Sequence, residues 1–559
     1  MKRMKAGLWF AALLAALLAA AGLCEAEHRD TRSLRIIATS DLHGKFFPWD
    51  YALNAESPSG SMTQLAAAIA QYRTEDTILV DAGDTIQGNS AEIFIGGEGI
   101  HPMILAMNAL GYDVCVTGNH EYNYGMDTVK KAIADLECRT LTGNVYDAEG
   151  NPIADGYAIL DVDGVRVAVI GMVTPNIARW DAVNLAGCAV TDPLEETRGI
   201  LGRIQGQYDV LVGVFHMSID DEYDMPDSGV ADILNACPEF DVMVSSHEHV
   251  LIPSMDINGA LVVQNRSQAQ TMAVIDLSLV RDGGAWRVEE KSARSVDVGD
   301  YGSDPAMTEL LRPYHERALE DAGQVIGRLE GGPLAPESPV EGVPSALVQD
   351  TPLIDLINRV QMACSGAQVS AAALNDPHAN LFPGEIRKCD AALICKYQNT
   401  LYKLRMNGAQ LKKFMEWSAR CYNTFRPGDS AVSIDGSIPL YNCYMFDGVC
   451  YEINLSREPG NRIENLTWPD GTPVGDGDEF DLAINNYCAS SQLLAPGVIF
   501  DADELPALVE MDVRGETGGI RELIRDYIVN ADGGAIHPEC DENWRITGCE
   551  QNGAAVGAK

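Results

Sequence analysis

Positive charge is scarce in this chain. Its 559 residues carry 40 Lys and Arg against 81 Asp and Glu, a formal net charge of −41. So acidic a protein repels a phosphate backbone, which excludes a nucleic-acid polymer as partner. A small anionic ligand remains open, because bound divalent cations would invert the local field. The 14 cysteines include no C-x-x-C pair, which argues against a zinc ribbon or a dithiol redox motif. Cys443 with Cys450, and Cys540 with Cys549, are close enough in sequence to pair, but the loose spacing leaves disulfides open. No internal repeat is present. Histidine is also sparse, ten residues in all, and its distribution is informative below.

Only one apolar run is long, Leu8 to Leu23. It follows Lys2, Arg3 and Lys5 and precedes Cys24-Glu25-Ala26. It is shorter than the ~20 residues a spanning helix needs. The pattern reads as an export signal cleaved after Ala26, so the mature chain is expected to be extracytoplasmic, without a membrane span. A lipoprotein alternative would use Cys24, although Ala21-Gly22-Leu23 fits a lipobox poorly.

What is present describes two large globular domains: 46% hydrophobic and 22% charged residues over a length too great for one domain. From Leu34 to about Val298, short β-like runs alternate with helical ones, which argues α/β layers. Leu261 to Gln264 and Met272 to Leu279 read as plain strands, expected to close a sandwich with a second sheet. Pro305 to Ala322 is helical and charged. A mixed α and β domain follows, with a helix over 350–364, a strand over 398–404, a helix over 408–419, and strands over 449–455 and 480–485. The Gly/Ala-rich end is expected to be disordered.

Five of the ten histidines stand just past the ends of strands in the first half: Asp41-Leu42-His43, Gly118-Asn119-His120-Glu121, His216, and His247-Glu248-His249, with Gly83-Asp84 beside them. Strand ends are where α/β sheets place their sites. Asp, His and Asn suit manganese, zinc or iron. Asp41 and His43 could share one face of an extended segment. Asp84 is the natural bridging carboxylate, Asn119 offers its amide oxygen, and His216, His247 and His249 supply imidazoles. Two metals can activate water and clamp both oxygens of an in-line displacement at phosphorus. His120 is a poor ligand candidate, but it is placed to stabilise the transition state or protonate the leaving oxygen.

The order D-x-H, G-D, G-N-H-E, H and H-x-H resembles the calcineurin-like metallophosphoesterases, and the long chain resembles their 5′-nucleotidase and 2′,3′-cyclic-nucleotide phosphodiesterase family. The second half is similar too, in Tyr397-Gln398-Asn399-Thr400-Leu401, Asn407-Gly408, Tyr441-Asn442, Gly460-x-Arg462-Ile463 and Asn485-Asn486-Tyr487. The resemblance implies a four-layer α/β/β/α catalytic sandwich over 32–300, a linker helix over 301–323 and an α+β substrate-binding domain over 324–545, between a signal peptide over 1–26 and a tail over 546–559. It implies two divalent ions (Mn, Zn, Fe, Co or Mg). Asp41, His43, Asp84 and His249 would hold one, and Asp84, Asn119, His216 and His247 the other. His120 would be catalytic, with Asn123 holding it. Asn375, Tyr441 and Tyr487 would bind a nucleotide, Phe500 being a substitute for the second ring. A monomer that swings its second domain about the linker is the family's arrangement.

Three departures bear on substrate. In 5′-nucleotidases an Asp three residues after the catalytic His orients it, and this chain has Asn123. The family's loop Asn-x-Gly-x-Ile-Arg becomes Asn375-Asp376-Pro377-His378-Ala379-Asn380, losing an arginine that Arg387 or Arg405 could replace. The paired glycines before H-x-H are Ser245-Ser246. The first two favour the cyclic-phosphodiesterase branch: hydrolysis of 2′,3′-cyclic nucleotides and of nucleoside monophosphates. The alternatives are a 5′-nucleotidase, a UDP-sugar or nucleotide diphosphate hydrolase, and a nucleotide-binding surface protein without turnover.

Overall fold

A computed structural model describes residues 30–549, save 98, 223–224, 396–398 and 515–518. The expected signal segment with Cys24, Tyr397 and Gln398, and the chain from 550 onward lie outside the described residues. The chain divides into two compact units. One takes residues up to 49 and 56–315, the other 50–55 and everything from 316. The division falls inside the helix Pro305–Ala322.

The first unit is a four-layer α/β/β/α sandwich. In one sheet Thr31–Thr39, Thr77–Asp81, Val114–Val116 and Arg139–Leu141 run parallel. In the other Val165–Val173, Val210–His216, Val242–Ser245 and Ala260–Gln264 do the same. Side chains alternate across a strand. Ile36, Ala38, Ile78, Val80, Val114 and Val116 therefore meet Val167, Val169, Val212, Val214, Val242 and Val244 in the dry layer between sheets. The intervening residues Ile170, Leu211, Phe215 and Met243 face outward, under Leu194 and Ile200 of the helix Pro193–Ile204 and Ile233 of Val230–Ala236. Pro193 stands at the start of the first of these helices, where Asp192 accepts from the backbone N–H of Leu194 and Glu195.

Two expected strands do not stay together. Ala260–Gln264 pairs with Val242–Ser245, but Thr271–Asp282 crosses to the other sheet and lies antiparallel to Thr31–Thr39. Both runs are apolar enough to read as buried strands, so only the long-range pairing assigns them to different sheets. The parallel register sets Thr39 beside Asp81, and Asp81 beside Cys115. The loops at 41–43, 83–84 and 117–121 thus leave the same end of one sheet, while His216 and Ser246 leave the matching end of the other.

The second unit is built on a five-stranded sheet in the order Tyr444–Asp447, Val369–Ala373, Glu479–Asn485, Leu401–Asn407, Ala507–Glu510. Helix Pro352–Ser365 packs on it, and Gly408–Ala419 opens with Asn407 capping Gln410. Arg462 is fully buried, donating to the carbonyls of Ala419 and Tyr422, while the backbone N–H groups of Arg462 and Ile463 donate to Glu416. No disulfide forms among the described cysteines, so neither Cys443–Cys450 nor Cys540–Cys549 is a bridge. The close sulfur pair is instead Cys115 and Cys138, 2.8 Å apart.

Replacing Arg462 by Met keeps the volume and the backbone bonds to Glu416 but leaves two buried carbonyls without their donor. The expected loss of stability is on the order of 3 kcal/mol, read as a lower midpoint in urea unfolding followed through the second unit's tryptophans.

Candidate metal centre

Five of the seven candidate ligands sit at left-handed φ: Asp41 at 51°, His43 at 43°, Asp84 at 57°, His247 at 81° and His249 at 59°. Non-glycine residues avoid this region, and where they cluster in it the surrounding structure must enforce it. The Asp41-Leu42-His43 segment is therefore not extended, as its spacing led one to expect, but tightly turned. Backbone bonds hold it against the neighbouring loop, with Asp41 N–H donating to Gly83 at 2.8 Å and His43 N–H to Asp84 at 2.9 Å.

The turns converge their side chains. One donor atom from each of Asp41, His43, Asp84 and His249 lies within 4.8 Å of the others, and so does one from each of Asp84, His216 and His247. Asp84 belongs to both groups. Asn119 Oδ1 stands 2.9 Å from both His216 Nε2 and His247 Nδ1, which adds it to the second group. His43 Nε2 and His249 Nε2 face one another at 3.0 Å. Asp41 Oδ2 and Asp84 Oδ2 are buried and accept no hydrogen bond. Buried carboxylate oxygens without donors, ringed by imidazole nitrogens, are what two cations would satisfy. The residues present fit a two-metal site.

The opposite ring nitrogens are held by groups that sequence reading did not single out. His216 Nδ1 donates to the Ala82 carbonyl at 2.7 Å, His247 Nε2 to Glu222 at 3.0 Å, and His43 Nδ1 to Gln87 at 3.2 Å. Such bonds turn the free nitrogen of each ring inward. Glu222 is 25 residues from His247, with no local signal to mark it. Glu121, by contrast, lay inside the quoted motif. Its carboxylate accepts from the backbone N–H of Asp84, Gly118, Thr85 and Ile86 at 2.7–3.2 Å, clamping two loops together. Gly118 is required there, since a Cβ would stand 2.2 Å from Asp84 Oδ1 and 2.7 Å from His216 Cε1. The serines that replace the paired glycines are absorbed: Ser245 donates to Met217 O at 2.7 Å and Ser246 to Ala82 O at 3.1 Å.

Burial alone would raise Asp84, but His216 and His120 beside it outweigh that and hold the carboxyl well below its usual range. Burial would lower His216, yet Asp84, 3.2 Å away, lifts it to about 10. Burial drives His43 down to about 4 against the pull of Asp84. Asp81, under the loop, is pushed up to about 7 by burial despite bonds from Thr39, Gly83 and Thr85.

His120 joins the cluster without being a member of either group. Its backbone N–H donates to Asp84 Oδ1 at 2.8 Å, and its ring lies 5.3 Å from that of His43. Asn123 accepts from its Nδ1 at 2.6 Å.

The second unit holds a separate cavity of about 390 Å³, lined among others by Asn375, Tyr441 and Tyr487, and among the described residues no charged side chain lines it. The two tyrosine rings are 5.8 Å apart at 89°, edge to face. Phe500 is not among the lining residues. It is 1% exposed in the hydrophobic core, because the apolar run before Asp501 packs inward. Nor do Arg387 and Arg405 line this cavity, and Arg405 is paired with Asp481.

Residues 34–251 match the family model described as calcineurin-like phosphoesterase, and 325–493 the one described as 5′-nucleotidase, C-terminal domain. A Haemophilus influenzae protein named 2′,3′-cyclic-nucleotide 2′-phosphodiesterase/3′-nucleotidase is 28% identical, over 92% of this chain and 87% of its own. A Bacillus subtilis protein named trifunctional nucleotide phosphoesterase protein YfkN is 27% identical over 92% of this chain, which spans 39% of that longer protein. Among solved structures, Haemophilus influenzae NAD nucleotidase shares the fold with a TM-score of 0.60 at 15% identity, covering 93% of this chain and 99% of that one. Fold and site together define a metal-dependent phosphoesterase. The chain belongs to the calcineurin-like phosphoesterases that carry a 5′-nucleotidase C-terminal domain, and it is a phosphoesterase hydrolase.

Two outcomes are expected. Glu121→Gln turns an amide N–H toward backbone donors, costing on the order of 1–3 kcal/mol, seen as a lower Tm. Because His216, held up to about 10, carries a proton at neutral pH, loading the metal-free protein must expel it. Titrating manganese or zinc into weakly buffered protein should therefore acidify the solution, with affinity rising from pH 6 to pH 8.

Proposed function

We propose that this protein hydrolyses 2′,3′-cyclic nucleotides to 3′-nucleotides, and nucleoside monophosphates more slowly. The observation that carries the reading is the partner of His120, the amide of Asn123 at 2.6 Å, where 5′-nucleotidases place a carboxylate. The relatives' names support it. Three of the four relatives reported over nine-tenths of this chain are named for cyclic-nucleotide and 3′-nucleotide hydrolysis and the fourth as a trifunctional nucleotide phosphoesterase, whereas one named 5′-nucleotidase is 25% identical over 57% of it. Export is proposed on the Lys2 to Ala26 pattern.

In this reading Asp41, His43, Asp84 and His249 hold one divalent cation, and Asp84, Asn119, His216 and His247 a second. When bound, the pair supplies charge neutralisation at the phosphoryl oxygens and a water of lowered pKa. His120 is the chain's own proton donor. Held through Nδ1, it presents Nε2 to the 2′-oxygen. As water adds to phosphorus and the P–O2′ bond breaks, the proton passes from Nε2 to the departing oxygen. The uncharged cavity of the second unit suits the base and ribose. Tyr441 and the 46% exposed Tyr487 stack on whichever base enters, with Asn375 beside them.

Initial rates on 2′,3′-cyclic AMP, 3′-AMP and 5′-AMP with manganese test the proposal. The cyclic diester should be fastest and 5′-AMP slowest, and His120→Ala should lower kcat about a hundredfold or more. A preference for 5′-AMP would return the 5′-nucleotidase reading. Binding of metal and nucleotide without turnover would return the binding-protein reading.

A further inference from the structure

Asn123 does not end the chain of contacts that starts at His120. Its Nδ2 donates to Asp181, 3.1 Å from Oδ1 and 3.4 Å from Oδ2. Asp181 is 4% exposed and follows the short helix Ile177–Trp180. Its place is fixed from several sides. Its backbone N–H donates to Ile177, and Ile177 and Trp180 pack with Tyr122, one of the two residues between His120 and Asn123. Asn184 Nδ2 spans the same corner, donating to the Asn123 carbonyl at 2.9 Å and to Asp181 Oδ1 at 3.3 Å.

An amide is nearly symmetric in shape, so Asn123 alone could turn either end toward the imidazole. Asp181 removes the choice. A carboxylate accepts only, so the amide nitrogen must face Asp181 and the amide oxygen must face His120. Nδ1 is then obliged to donate, and Nε2 becomes the working nitrogen.

We propose that Asp181 is a positioning residue for His120, acting through Asn123, so that the carboxylate missing from position 123 is supplied one residue further back. The inference rests on the reading of His120 as proton donor. It treats Asn123 and Asp181 as a matched pair whose polarities can be exchanged. Asn123→Asp by itself would set two carboxylates against each other across 3.1 Å. With Asp181→Asn added, the new carboxylate would accept from both His120 Nδ1 and the amide at 181.

The test is steady-state kinetics on 2′,3′-cyclic AMP for the full chain, the two single variants and the double variant, each checked for metal content and Tm. Asp181→Asn and Asn123→Asp should each lower kcat about tenfold or more, with KM changed little. The double variant should recover to within a few fold of the parent. A second readout uses bis(p-nitrophenyl) phosphate, whose leaving group departs without a proton. On that substrate Asp181→Asn should lose far less than on the cyclic nucleotide. Equal losses on both substrates, or a double variant no better than the worse single one, would overturn the relay. His120→Ala separates the two levels. Full activity in that variant would overturn the role of His120 and the relay with it. A loss there, combined with additive effects at 123 and 181, would overturn the relay alone. Should Asp181→Asn not fold, the double variant decides: recovered turnover supports the relay, and a folded but impaired protein overturns it.

Discussion

A buried carboxylate cannot keep its charge unless the protein answers it, and Asp84 is the point at which this molecule has to do so. The side chain has no exposure, one oxygen without a hydrogen bond, and imidazoles on several sides. Desolvating such a charge costs several kcal/mol unless it is paired. His216 supplies the pairing in the metal-free protein, and two cations would supply it in the loaded one. Much of the surrounding structure serves to hold that arrangement. Glu121 ties the loop of Asp84 to the loop of Gly118, and the Ala82 carbonyl turns His216 inward.

The strain in the loops follows from the same demand. To aim at a common point, side chains that leave two different sheets must turn back sharply at the strand ends, and five ligand candidates do so in the left-handed region. The sheets beneath them are rigid layers of Val and Ile, which can enforce such turns. The second unit solves the opposite problem. Its cavity is lined by amides, aromatic rings and small apolar groups, an environment for an uncharged moiety.

Several features were legible in the chain before any coordinates. Short continuous apolar runs such as Val210–His216 and Val242–Ser245 declare buried strands, because apolar character and run length are local properties. Helices Pro305–Ala322 and Gly408–Ala419 have the limits their patterns suggest. The order of Asp41, His43, Asp84, Asn119, His216, His247 and His249 identified the cluster, since ligand chemistry is carried by residue type and each motif sits at a strand end. Asn123 beside His120 was readable because the two are three residues apart and share one turn.

What the sequence could not determine depends on partners far away along the chain. Thr271–Asp282 reads as an apolar strand like its neighbour, and only hydrogen bonding to Thr31–Thr39 puts it in the other sheet. Phe500 looks like a ring available for stacking until core packing buries it, and no cysteine spacing gives away the proximity of Cys115, on a strand, to Cys138, just before the next one. Glu222 and Asp181 carry no motif at all. Each is an ordinary acidic residue in an acidic chain until the fold brings it against His247 or Asn123, 25 and 58 residues away. Residue type and spacing settled which chemistry the chain can hold. Which acid stands behind which histidine was decided by tertiary structure, because a hydrogen bond depends on distance in space and leaves no period in the sequence.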